Sequence, residues 1–203
     1  MATGVRRYRF SFPTVLLIVI AASNLAAAAW ARESSGTAPQ APPARPSSEV
    51  VGDFVALCER LVVGAADAMP ADKYPFAPTE GEFAGVRTFA QQVKHAAATN
   101  YILAAAILGE PPPPDAGDEL GPEAVRTKPE IMKYLVGSFA YLRKAAAVID
   151  SRNAIVKGSP ISPLGGKTTR LGLAIETLAH AMDHYGQMVE YLRMNGIVPP
   201  ASR

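Results

Sequence analysis

The sequence predicts an all-α protein, a four-helix bundle preceded by a signal peptide and a flexible linker. Four stretches of about twenty residues carry apolar side chains at alternating spacings of three and four, the mark of helices with one buried face. Proline- and glycine-rich breaks separate them, and no stretch shows the alternation of a convincing strand. Hydrophobic residues make up 49% of the chain and charged residues 19%, which fits a folded globular protein rather than a disordered one. A chain of 203 residues allows one domain with a sizeable core once its terminal segments are set aside. No internal repeat at solenoid periods is visible.

At the N-terminus, Arg6, Arg7 and Arg9 precede an uncharged stretch from Phe10 to Trp30 that closes on Ala29-Trp30-Ala31. A basic region, an apolar region and a small-residue cleavage site are the three parts of a secretory signal peptide, so residues 1–31 are expected to be one, cleaved near Ala31. An uncleaved membrane anchor is the rival reading, although Pro13, Ser23 and Asn24 interrupt the apolar run. Arg6-Arg7 resembles a twin-arginine export signal in the pair alone. The expected location is periplasmic or extracellular. Residues 32–48 are rich in Ala, Pro, Ser, Gly and Thr and cannot bury enough surface to offset their ordering entropy. They read as a tether, and the folded domain as residues 49–200.

The first helix is expected from Ser48 or Glu49 to Met69, with Val51, Val55, Cys58, Val62 and Ala65/Ala66 facing inward and Met69-Pro70 ending it. A turn-rich link follows, and its aromatics Tyr74, Phe76 and Phe83 are expected to pack on the bundle. The second helix spans Thr88–Leu108, capped by Thr88, with Phe89, Val93, Ala96, Leu103 and Ile107 as its core stripe. Gly109 and prolines 111–114 stop it. Thr127 and Glu130 form a capping box for a third helix reaching about Asp150, with Ile131, Leu135, Phe139, Leu142 and Ala146 buried. Residues 151–167 read as a loop; Gly165-Gly166-Lys167-Thr168 lacks the upstream glycine spacing of a phosphate-binding loop. The fourth helix, Arg170–Asn195, is expected to bury Leu171, Ile175, Leu178, Met182, Tyr185, Val189 and Leu192. Long links before the second and fourth helices leave simple up-down order open.

The chemistry concentrates in the histidines. The chain has three, and two of them, His180 and His184, sit four residues apart on the fourth helix. That spacing projects both imidazoles from one face, one turn apart, where they can converge on one metal ion. The third, His95, lies at the edge of the second helix's apolar stripe beside Gln91, Gln92 and Thr99. Taken alone, each reading competes with ordinary packed histidines. Glu176, Asp183 and Glu190 form an acidic seam next to the pair. Cys58 falls in an apolar pattern and reads as a small buried hydrophobe; a single cysteine forms no intramolecular disulfide. Net charge is +2 and no basic patch interleaved with aromatics appears, so nucleic acid is not the expected partner.

The run R-T-F-A-Q-Q-V-K-H-A at 87–96 and the block H-Y-G-Q-x-x-x-Y-L-R-x-x-G-I-V-P-P at 184–200 resemble the DinB-like family of metal-binding four-helix proteins, over about residues 49–200. The resemblance implies that His95, His180 and His184 bind one divalent metal, zinc or nickel. It also implies kinship with thiol-dependent transferases and isomerases. Three classes of function follow. In a metal-dependent hydrolase or thiol transferase acting on a small molecule, Tyr185, Gln187 or Asp183 would assist. In a non-catalytic module the same site would hold metal or ligand without turnover. In a structural protein the bundle would pair as a homodimer and the histidines would be packing residues.

Overall fold

In the computed structural model the described residues are 43–203. The expected signal peptide and residues 32–42 of the expected linker lie outside them. Four helices follow in order: α1 (Ser47–Ala68), α2 (Phe89–Leu108), α3 (Lys128–Ala146) and α4 (Arg170–Met194). Short 3-10 turns at Ala71–Lys73 and Pro200–Ser202 flank the first link and close the chain. No helix among the described residues is long and apolar enough to cross a membrane.

Local chemistry sets most of the boundaries. Met69, held extended at φ −76° and ψ 123° before Pro70, ends α1. Thr88 and Gln91 cap α2 reciprocally: the Thr88 amide donates to Gln91 Oε1 at 2.8 Å and the Gln91 amide to Thr88 Oγ1 at 3.3 Å. Gly109, left-handed at φ 77°, closes that helix. Glu130 accepts from the amides of Arg126 and Thr127 at 3.0 and 2.8 Å, which opens α3. Thr169 Oγ1 accepts from the Gly172 amide at 3.0 Å to begin α4.

α1 and α2 each pack against both α3 and α4 and lie diagonally opposite one another. The α2 N-terminus meets the link behind α1, through Ala90 N to Tyr74 O at 2.9 Å, so α1 and α2 run in opposite directions. Lys128, at the start of α3, donates to the carbonyls of Asp67 and Met69 at the end of α1. α2 and α3 run the same way: Asn100 bonds Ser138, and Glu110 at the end of α2 bonds Tyr141 and Lys144. α4 opposes α2, with Arg170 on the Ile107 carbonyl at one end and Tyr191 on the Arg87 carbonyl at the other. The order is therefore up-down-down-up. Because α2 and α3 are parallel, the connection between them must return along the whole bundle, and residues 109–127 do so.

The inward stripes expected on α1, α2 and α3 are all buried. Tyr74 stacks edge-on against Phe89 at 5.3 Å and Phe76 against Tyr191 at 5.6 Å, whereas Phe83 lies at the surface. Cys58 is buried in the core. Phe139 is fully buried among these stripes. Phe139→Ala is therefore expected to lower unfolding stability by about 3–5 kcal/mol. Urea unfolding with an unchanged m-value checks it, and a loss under about 1 kcal/mol would contradict this core.

Three expectations are corrected. α3 ends at Ala146 rather than near Asp150, although Ile149 beyond it remains buried. Residues 151–167 are not wholly loop: Ile155–Lys157 (β1) pairs antiparallel with Lys167–Thr169 (β2). Three-residue strands are too short for alternation to be legible, and only a residue without Cβ fits at Gly158 against the Gly165 carbonyl. On α4 the expected apolar stripe is misplaced. Ile175 is 58% exposed, and the buried face runs through Leu173, Ala174, Thr177, Ala181, His184, Met188 and Tyr191. Leu171, Leu178, Met182, Tyr185 and Val189 of the expected stripe are left half-buried.

Candidate metal centre

That inward face of α4 brings the histidines together. His95 on α2 is 7% exposed and His184 on α4 is 5% exposed, both far drier than an ordinary histidine. His180 Nε2 lies 3.1 Å from His95 Nε2 and 3.1 Å from His184 Nε2. The ligand atoms of the three all lie within 4.8 Å of one another, with ring planes 63–82° apart. Three nitrogens bound tetrahedrally to one ion at about 2.0–2.1 Å sit roughly 3.3 Å apart, and the two 3.1 Å separations at His180 are close to that spacing.

Protons decide whether a cation fits. His95 Nδ1 lies 2.5 Å from the Glu119 carbonyl oxygen, which only accepts, so Nδ1 carries the proton. For His184 the assignment starts from a carboxylate. Asp183 Oδ2 accepts from Gln187 Nε2 at 2.9 Å, Gln187 Oε1 from Gln92 Nε2 at 2.6 Å, and Gln92 Oε1 from His184 Nδ1 at 2.6 Å. Every link donates toward the carboxylate, so His184 also holds its proton on Nδ1. Both Nε2 atoms are then bare lone pairs, and both face His180 Nε2. One proton on His180 can serve only one of them. A divalent cation satisfies all three, and the residues present fit it.

Burial keeps the cluster neutral, the form that binds metal. Desolvation first, then the charges of neighbouring histidines and Arg87, pushes His184 down to about 3. Desolvation followed by the His95 charge pushes His180 down to about 4. His95 moves the same way for the same leading reason, partly offset by the Glu119 carbonyl. His180 Nδ1 is buried and has no partner among the described residues. A cavity of about 390 Å³ opens onto His95 and His180, bordered by Thr99, Glu176 and Asp183, large enough for a small molecule.

All three histidines expected from sequence thus meet at one point. Gln92, Gln187 and Asp183 join them through the proton relay, whereas Tyr185 packs against the hydrophobic core instead. Glu119 escaped the sequence reading because it acts through its backbone carbonyl, which any residue supplies; only its place on the return loop puts it there. Gln92 is the most testable supporting group. Gln92→Leu, similar in size but without an acceptor, is expected to weaken zinc or nickel binding about 10–100-fold, read by competition with a chromophoric chelator. Unchanged affinity would mean the relay does not orient His184.

A helical bundle with a buried, neutral three-histidine cluster defines a protein positioned to bind a metal ion. The sequence profile of the DinB superfamily matches residues 55–188, well over half the chain, and the chain belongs to that superfamily. No curated protein matches the sequence.

Proposed function

We propose that the chain binds one divalent metal ion, zinc or nickel, through His95, His180 and His184, and uses it in hydrolysis or thiol transfer on a small molecule after export and cleavage near Ala31. What supports this reading is the convergence of three Nε2 atoms whose protons are pinned elsewhere. A divalent ion held there supplies Lewis acidity and lowers the pKa of a water or thiol set against it. The chain's own contribution is the rest. Glu119 and Gln92 hold two rings in one tautomer, and the 390 Å³ cavity, with Leu103 on its wall, gives a small molecule access to His95 and His180. Asp183, on the cavity wall and at the end of the relay, is the group placed to take up a proton.

One observation favours the alternative, a bundle that holds metal or ligand without turnover. Glu176 accepts from Ser162 Oγ at 2.7 Å and Asp183 from Gln187, so both carboxylates at the cavity are already engaged. The deciding experiment is elemental analysis of chelator-free protein, followed by screening of ester, amide and thiol-conjugation substrates. One equivalent of metal with turnover that chelation abolishes is expected. Metal without any turnover would leave the binding module, and protein that neither carries nor takes up metal would sink both.

A further inference from the structure

A second and larger cavity, about 840 Å³, lies on the other side of the Gln92–Gln187 pair. Its walls are the segment just before α2, the exposed end of α2 and the return loop at 117–123. Of its four charged side chains, three are engaged. Asp118 Oδ1 accepts from the Leu120 amide at 2.8 Å, Glu123 pairs with Arg126 at 3.0 Å, and Lys94 donates to the Pro122 carbonyl at 2.8 Å. The fourth is Arg87. Its Nε is buried with no hydrogen-bond partner, and no carboxylate among the described residues pairs with its guanidinium.

A guanidinium whose Nε is buried without a partner is costly where it stands. A planar five-donor fork facing a cavity matches an anionic oxygen group. We propose that this cavity binds a small molecule through a carboxylate or phosphate seated on Arg87.

The test uses the full chain, calorimetry, and three probes: succinate, inorganic phosphate and uncharged 1,4-butanediol. Wild-type protein is expected to bind succinate or phosphate saturably and the diol not at all, and whichever anion is tighter names the group. Arg87→Gln should weaken that anion about ten- to a hundredfold, and Arg87→Lys, which keeps the charge but loses the fork, should fall between. Both variants retain the Arg87 carbonyl that anchors Tyr191, and circular dichroism confirms folding. Failure of both anions to outbind the diol, or undiminished affinity in Arg87→Gln, would overturn the anion site. Anion binding in protein that takes up no metal would overturn the metal reading while leaving this site standing.

Discussion

Protein carrying His180→Ala is expected to come through purification without its metal, falling from one equivalent to background, and His95→Ala to do the same. His180 is the ring whose Nε2 lies within 3.1 Å of both others, so its loss leaves a pair on different helices with no third nitrogen. Two ligands where three stood cannot hold a tetrahedral ion against buffer. The variant should nevertheless fold. In metal-free protein the three Nε2 atoms crowd together with too few protons between them, so removing one ring relieves that repulsion. The metal-free stability of His180→Ala should therefore match or exceed that of metal-free wild type. Loaded wild type should stand above both by the binding free energy, about 4 kcal/mol when free metal exceeds Kd a thousandfold. Thermal melts with and without added zinc separate these cases. Identical zinc-induced shifts in the variant and wild type would refute the site, and a variant already unfolded without metal would show the histidines to be packing residues.

The histidine cluster is legible in the sequence and its surroundings are not, for physical reasons. Helix limits were legible because they are written in local chemistry: the Thr88–Gln91 and Thr127–Glu130 caps, Met69-Pro70, and Gly109 before four prolines. The histidines were legible through their spacing on α4 and through the block around them. The orientation of α4 was not. Apolar residues occur around much of its circumference, so periodicity points to Ile175 and Val189, while packing in the bundle selects the face with Leu173, Thr177, His184 and Met188. That choice is tertiary and has no local signal. The same is true of Glu119: its carbonyl reaches His95 only because α2 and α3 are parallel and the chain must return across the bundle. Arg87 sat in view within the run at 87–96, yet its lack of a partner is a property of the fold alone.

Acid should destabilise the metal-free protein through the histidines, and in a window that belongs to them. The pKa of each lies below the unfolded value of 6.5, at about 4 for His180 and about 3 for His184, with His95 also lowered. Above pH 6.5 neither state is protonated there and stability is flat. Below it the unfolded chain takes up protons that the fold refuses, so stability falls as pH falls, until the buried rings are protonated near 3–4. Each fully refused proton costs about 1.4 kcal/mol per pH unit, so two buried rings cost roughly 2–3 kcal/mol per unit. The chain has only three histidines, and all are in this cluster. The carboxylates held below their usual range by hydrogen bonds, Glu110, Glu130 and Asp150, act mainly below that window. Urea unfolding at intervals from pH 7.5 to 4.5 should therefore show a slope that disappears when His95, His180 and His184 are all replaced by alanine. A slope that survives the triple replacement would assign acid sensitivity elsewhere, and a flat wild-type profile would mean the rings are not held neutral. With metal bound the descent should be steeper, because protons then also displace the ion, and the loaded and metal-free curves should meet where the histidines can no longer hold it.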